Sequence, residues 1–356
     1  MVVKTIVVRG KSKLVDEMCV YHPFFYALEH PDQLTVKILY FSMEMSKQRK
    51  YYEFISHLLN RLDKIRISPK DLQSTKVERP CPQEILDLIR TERYQEYIRK
   101  FNDTVEYVTT IKNPTGIYKY CKDFAKSRGH WVTKPGKKKD EFGNIIDAQV
   151  NDYFVKDNPE EYWIVVLDNF TNLSLESGFN KLQNIEKMSK YCIELRDDYL
   201  FNMNVVQHQA QDQENSAYRA ENQLEPTSQG LGDCKMSVRD VDCLWGLFNP
   251  AKFNLPVYPV GAKIGSTGYD IKRLGNYCRF LKLLEGRDGG GGDYIGLFFD
   301  GATSTWAELP RPNDVQSLER VYSYIASLNR QNRPVINTVL KSNKFKKLKR
   351  KLWRTM

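Results

Sequence analysis

The 356-residue chain is 41% hydrophobic and 12% aromatic, which excludes a solvated polymer and allows a substantial buried core. No run approaches the roughly 18 apolar residues of a membrane-spanning helix, and the opening MVVKTIVVRGKSK holds no apolar run long enough for a secretory signal, so a cytoplasmic protein of a cell or an infected host is expected. The seven cysteines are scattered and never form a CxxC pair, which excludes a disulfide framework or zinc ribbon, and the charge of +10 is mostly a tail, because residues 341–356 carry eight Lys or Arg and no acid.

In chain order, TIVV (5–8) is β-branched and reads as a strand ending at Arg9-Gly10-Lys11-Ser12, with a helical pattern from there to Pro31. KILYF (37–41) fits a strand buried on both faces, and 42–62 fits a helix with apolar Phe54, Ile55, Leu58, Leu59 and Leu62. Helices follow around 84–101, then a strand at 105–111, then a helix after Asn113-Pro114-Thr115. The polar, turn-rich stretch 129–160 reads as an insertion or loop. YWIVVLDNF (162–170) is the strongest strand, followed by a helix through 182–199 and a strand at 202–210. A polar loop spans 211–230. Strands are then predicted at 241–249, 276–285, 294–300 and 305–310, before a last helix and the basic tail. The pattern is an α/β fold, a mostly parallel sheet flanked by helices with an antiparallel edge near 276–310. One domain over 1–335 and a tail over 336–356 are expected.

In such a sheet ligands collect at the carboxyl ends of the strands. Gly10, Lys11 and Ser12 are the last three positions of a phosphate-binding loop: a lysine for phosphate, a hydroxyl for Mg²⁺ and backbone amides at a helix start. The full pattern needs a glycine where Thr5 stands, and taken alone RGKS is also what a chance match would give. Glu44 and Asp168 end two strands. An acid there suits Mg²⁺, and a second carboxylate can orient and deprotonate a water. By themselves the two are equally ordinary strand-end acids. The histidines read as packing residues, and no group of zinc spacing or nucleophile elbow is present.

FSMEMS (41–46), VVLDNFTNL (165–173), VVQHQAQD (205–212), LGDCKMSVRDVDCLWGLF (231–248) and LKLLEGRDG (281–289) resemble, in order and spacing, the core motifs of the DnaB-like replicative helicases. The resemblance covers nearly the whole chain. It implies a RecA-like P-loop ATPase core using ATP and Mg²⁺, and translocation on single-stranded DNA as a ring of six, with a primase or loader as a possible partner. It assigns Lys11 and Ser12 to the phosphates and Mg²⁺, Glu44 as catalytic base, Asp168 as Mg²⁺ acid, Gln209 as γ-phosphate sensor and Arg287 as an arginine finger acting on a neighbouring subunit. The chain departs from the family at Thr5 and at Glu285, where a basic residue is usual. Since Gly10 lies so near the start, the family's N-terminal primase-interacting domain is expected to be absent, as in the compact phage versions.

Channel-lining segments should follow the strands ending at Asp168 and Gln209, which makes Lys181, Arg219 and Lys235 the candidate DNA contacts, with Asn180 and Gln183 as neutral phosphate donors. Alternatives are a RecA-type recombination or repair ATPase, and a non-hydrolysing DNA-binding or assembly protein on the same fold.

Overall fold

The computed structural model describes residues 10–74, 80–207, 224–227, 240–287 and 294–331. The predicted strand at 5–8 lies outside them, as do most of the loop 211–230 and the tail 336–356. A continuous helical stretch opens the described chain: α1 (Lys11–Asp16), one π turn (Glu17–Tyr21) and α2 (His22–Glu29), stopping just before Pro31. Strand β1 (Thr35–Ser42) and helix α3 (Lys47–Asp63) follow. Ser46 caps α3 by accepting from Arg49 N at 3.3 Å, and Lys64 ends it in the left-handed region at φ 55°. Next come α4 (Pro69–Leu72), α5 (Gln83–Arg90), α6 (Glu92–Thr104), β2 (Val105–Val108) and α7 (Pro114–Lys126), with proline in the first turn of α7 where its missing N–H costs nothing.

The polar stretch read as an insertion or loop is a long β-hairpin, β3 (Gly129–Lys139) and β4 (Ile145–Lys156), paired antiparallel from Gly129↔Lys156 to Lys139↔Ile145. Its lysines, glycine and proline signalled a turn, yet the strands pair along their whole length. Then come β5 (Glu161–Asp168), α8 (Lys181–Tyr199) and β6 (Asn202–Val206).

Strands β1, β2, β5 and β6 form a wholly parallel sheet in the order β2-β1-β5-β6. Side chains alternate across it. Leu39, Phe41, Val165, Leu167 and Met203 pack on one face against Ile117 and Cys121 of α7 and Ile185, Met188 and Leu195 of α8. Ile38, Tyr40, Val166 and Val206 pack on the other against Val15, Phe24, Phe54, Leu58 and Phe101. Covering both faces is what a parallel sheet requires.

The strands expected at an antiparallel edge form a second sheet: β7 (Cys243–Phe248), then β10 (Cys278–Gly286), β11 (Tyr294–Asp300) and β12 (Thr305–Glu308), ordered β12-β11-β10-β7. Contacts divide the chain into two compact units, one running to Asn249 together with Arg279–Ala307, the other comprising Pro250–Cys278 and the chain from Glu308. The second unit holds the short hairpin β8 (Val257–Tyr258) and β9 (Tyr269–Asp270), helix α9 (Ile271–Leu274) and helix α10 (Val315–Gln331). Arg273 and Glu319 pair there.

Candidate functional site

The register pairs Ser42 with Asp168, so β1 and β5 finish level. Met43 N donates to Asp168 O at 2.6 Å, continuing the ladder one step further. Against these ends stands the start of α1. Gly10 adopts φ 124°, where side chains rarely go, and its carbonyl accepts from Leu14 N at 2.8 Å to begin the helix. Lys11 is 5% exposed. Ser12 Oγ donates to Asp168 Oδ1 at 3.1 Å.

Behind that contact lies a buried chain of polar groups. Tyr40 OH donates to Asp168 Oδ2 at 2.7 Å and accepts from Lys50 Nζ at 2.7 Å. Lys50 Nζ also donates to both carboxylate oxygens of Asp16 at 2.9 Å and stands 3.8 Å from Asp168 Oδ2. Asp16, Tyr40 and Lys50 are fully withdrawn from water. Burial pushes Asp16 up to about 6, with Lys50 pulling the other way. Burial also works against the Lys50 ammonium, but Asp16, Asp168 and Glu53 outweigh it and raise its pKa. Burial, reinforced by Asp16 and Asp168, holds the Tyr40 phenol far above its ordinary range, so it remains a neutral donor. Asp168 is thus fixed from two sides, by a hydroxyl in front and a phenol behind.

Glu44 projects beyond β1 and is exposed. Its Oε1 accepts from Asn169 Nδ2 at 3.0 Å and from Asn172 Nδ2 at 2.8 Å, both on the turn directly after Asp168. Asn169 Oδ1 in turn accepts from Thr171 N at 3.2 Å, closing that turn. Lys112 Nζ donates to Met43 O at 3.0 Å and braces the same corner. Gly10, Lys11, Ser12, Glu44 and Asp168 are therefore gathered at the ends of β1 and β5 as expected.

Ser12 and Asp168 supply oxygen donors suited to a hard cation. Among the described residues no group of three His, Cys, Asp or Glu could hold a metal ion. A two-oxygen set fits an ion that keeps most of its waters, as Mg²⁺ does, and does not fit an all-protein cage.

Arg287 lies in a different cluster. Its Nη1 is 3.1 Å from Asp242 Oδ1 and its N donates to Asp242 O at 3.0 Å, while Arg196 binds the same carboxylate at 3.1 Å. Its side chain is half exposed at the end of β10. Lys181 is exposed in the first turn of α8. Asn180 and Gln183, expected as phosphate donors, instead bond each other in a capping box: Asn180 Oδ1 accepts from Gln183 N at 2.9 Å and Gln183 Oε1 from Asn180 N at 3.0 Å. The loop before them is fastened by Glu176, which accepts from Asn113 Nδ2, Thr115 N and Oγ1, and Lys187 Nζ. Burial works against that carboxylate, yet these donors pull it down to about 2. Gln209, Arg219 and Lys235 lie outside the described residues.

Sequence reasoning missed Asp16, Tyr40, Lys50, Lys112, Asn169 and Asn172. Lys50 did leave a signal. It precedes Phe54 and Leu58 at helical spacing, a lysine inside an apolar stripe, and such a residue is buried only with a counter-charge.

Among solved structures, the chain resembles an ATPase domain of the DnaB-like replicative helicase type, with TM-score 0.56 and 11% identity over 87% of this chain and 84% of that one. It also resembles a DnaB-like replicative helicase described with its interactions with primase, with TM-score 0.54 and 11% identity over 86% of this chain and 56% of that one, so it spans little more than half of that protein. No family model and no curated protein matches the chain. The likeness is one of fold: this is the RecA-like α/β architecture of DnaB-like helicase ATPase domains, with a parallel sheet flanked by helices and a second, antiparallel sheet. Among the described residues no helix is long and apolar enough to cross a membrane.

Proposed function

We propose that the chain is an ATP-dependent helicase or translocase of DNA replication, hydrolysing ATP at the carboxyl ends of β1 and β5 and working as a ring of six on single-stranded DNA in the cytoplasm of an infected cell. The observation that carries this reading is the Ser12 Oγ contact with Asp168 Oδ1 at 3.1 Å, set on a helicase-type ATPase fold with Glu44 beside it. The α1 start, with Gly10 in a glycine conformation and Lys11 next, would hold the phosphates of ATP. Ser12 and Asp168 would hold Mg²⁺, which when bound neutralises charge on the transferring phosphoryl group. Tyr40 and Lys50 keep the Asp168 carboxylate aimed at that position. Glu44, its Oε1 fixed by Asn169 and Asn172, would take the proton of the attacking water.

Arg287 would serve a neighbouring subunit's nucleotide, and its pairing with Asp242 sets the direction in which it leaves β10. Gln209 would sense the γ-phosphate. Lys181, Arg219, Lys235 and the basic tail would grip DNA, and a primase or loader would be a further partner. The test is ATP turnover and nucleotide binding in Glu44→Gln. Turnover should fall about 10²- to 10⁴-fold, the usual contribution of a general base, while nucleotide affinity persists. Retained turnover would remove Glu44 from this role.

A further inference from the structure

The hairpin β3–β4 leads into the amino end of β5, opposite the nucleotide site. Only its base is packed: Phe154 sits 6.1 Å from Trp163 between ring centroids, and Lys156 Nζ lies 4.7 Å over the Trp163 ring. From Thr133 to Tyr153 nearly every residue is exposed on both faces of the ribbon. A two-stranded ribbon in water is marginal by itself, and this one carries apolar groups at its tip, with Phe142 89% exposed, Ile145 69% and Ile146 40%. The tip is shaped. Asp140 accepts from Phe142 N at 2.9 Å and Asn144 N at 2.8 Å, so the turn holds Phe142 outward as a fixed apolar knob.

A matching hole exists on the same face of the unit. A cavity of about 370 Å³ opens at the amino ends of β1, β5 and β6, lined by Tyr26, Leu34, Val36, Tyr162, Trp163 and Leu200 among others. Tyr26, Tyr162 and Leu200 are each 42–52% exposed there. The charges around the two also match. Lys137, Lys138 and Lys139 precede the knob, while exposed Asp32, Glu160 and Asp198 each stand two residues before a lining residue, Leu34, Tyr162 and Leu200. The arm cannot fill its own cavity. Its base is packed on Trp163, and the ladder from Thr133 to Lys139 carries the tip about 20 Å away.

We infer that the β3–β4 arm is a self-assembly element whose Phe142 knob seats in the amino-end cavity of a second copy of this chain, with Lys138 and Lys139 meeting its acidic rim. Knob and hole are different surfaces, so the contact is head-to-tail and builds a ring or a filament rather than a closed two-fold dimer. It needs no nucleotide and stands apart from the ATPase reading.

The experiment uses the full chain without nucleotide. A photo-crosslinking phenylalanine analogue is placed at 142, light- and heavy-isotope chains are mixed, and the crosslinks are mapped by mass spectrometry. Crosslinks between light and heavy chains should fall within 22–36, 162–164 or 200–202. Sedimentation should show Phe142→Asp weakening self-association at least tenfold with an unchanged melting profile. Lys138→Glu with Lys139→Glu, and separately Asp32→Lys with Glu160→Lys, should each weaken association, and mixing the two variants should restore it. Crosslinks only within one chain, only to added single-stranded DNA or outside the cavity would overturn the inference, as would undiminished association of Phe142→Asp or a wild-type chain that stays monomeric. Arm-dependent association in a chain that hydrolyses no ATP would leave it standing and count against the nucleotide site alone.

Discussion

At the carboxyl ends of β1 and β5, Asp16, Tyr40, Lys50 and Asp168 are almost wholly withdrawn from water and bonded to one another, whereas at the amino ends of the same strands Phe142 stands 89% exposed on an arm beside an open apolar cavity. The first end holds charge in a low-dielectric setting, where each group is costly unless its partner is present. Such an arrangement fixes the position of Asp168 before any ligand arrives. The second end holds apolar surface in water, which gains nothing until something covers it. One sheet thus separates a pre-organised chemical end from an association end, and substitutions should separate them too.

The largest effect is expected from Lys50→Met. It leaves Asp16 buried without its counter-charge, and breaking a buried pair this way costs about 3–5 kcal/mol. Urea unfolding should show that loss, and adding Asp16→Asn should recover much of it. Equal stability of Lys50→Met and the parent would mean that the buried pair does not hold this end together.

Glu17 offers a smaller, pH-dependent test. Burial pushes its carboxyl from an ordinary 4.5 up to about 7, and burial pushes the nearby His57, stacked on Tyr21, from 6.5 down to about 4. Between 4.5 and about 7 the folded chain binds more protons at Glu17 than the unfolded chain, so stability falls as pH rises through that window. His57 acts oppositely: between about 4 and 6.5 the unfolded chain binds more protons, so stability falls as pH drops. Glu17→Gln should therefore raise stability by about 1–3 kcal/mol above pH 7. The gain should vanish below about pH 4.5 and leave the His57 acid loss standing alone. A gain that is the same at all pH values would exclude titration of Glu17 as its source.

Substitutions on the exposed side should barely touch folding. Phe142→Asp should change unfolding free energy by less than about 0.5 kcal/mol, in contrast with Lys50→Met, even as it weakens association. The smallest effect belongs to Lys181→Ala, which should lower the log–log salt dependence of single-stranded DNA binding by about 0.7, one phosphate contact. An unchanged slope would leave Lys181 as a solvated helix-start residue.

Much of the sheet was legible because buried parallel strands are continuous apolar runs ending in polar residues, as in TVKILYFS and EYWIVVLD, so Glu44 and Asp168 could be placed at strand ends by counting. Helix α7 was legible from Asn113-Pro114. The arm was not, because its lysines, Pro135 and Gly136 carry turn chemistry, and only the cross-strand ladder shows that Thr133–Lys139 is extended. Asn180 and Gln183 were misread because an amide that caps a helix looks, in sequence, the same as one that meets a phosphate. The support behind Asp168 escaped notice because Asp16, Tyr40 and Lys50 come from three separate elements, and their convergence is a property of the packing.

The most direct test is the Mg²⁺ dependence of ATP turnover by the full chain and by Asp168→Asn, which keeps the shape of the side chain and removes its charge. The parent should turn over ATP with a saturable Mg²⁺ requirement, and Asp168→Asn should lose turnover by about a hundredfold, in the range that an electrostatic contact to the reacting group supplies, with nucleotide affinity largely kept. Turnover by Asp168→Asn equal to that of the parent, at the same Mg²⁺ concentration, would show that the carboxyl ends of β1 and β5 are not where this protein hydrolyses ATP.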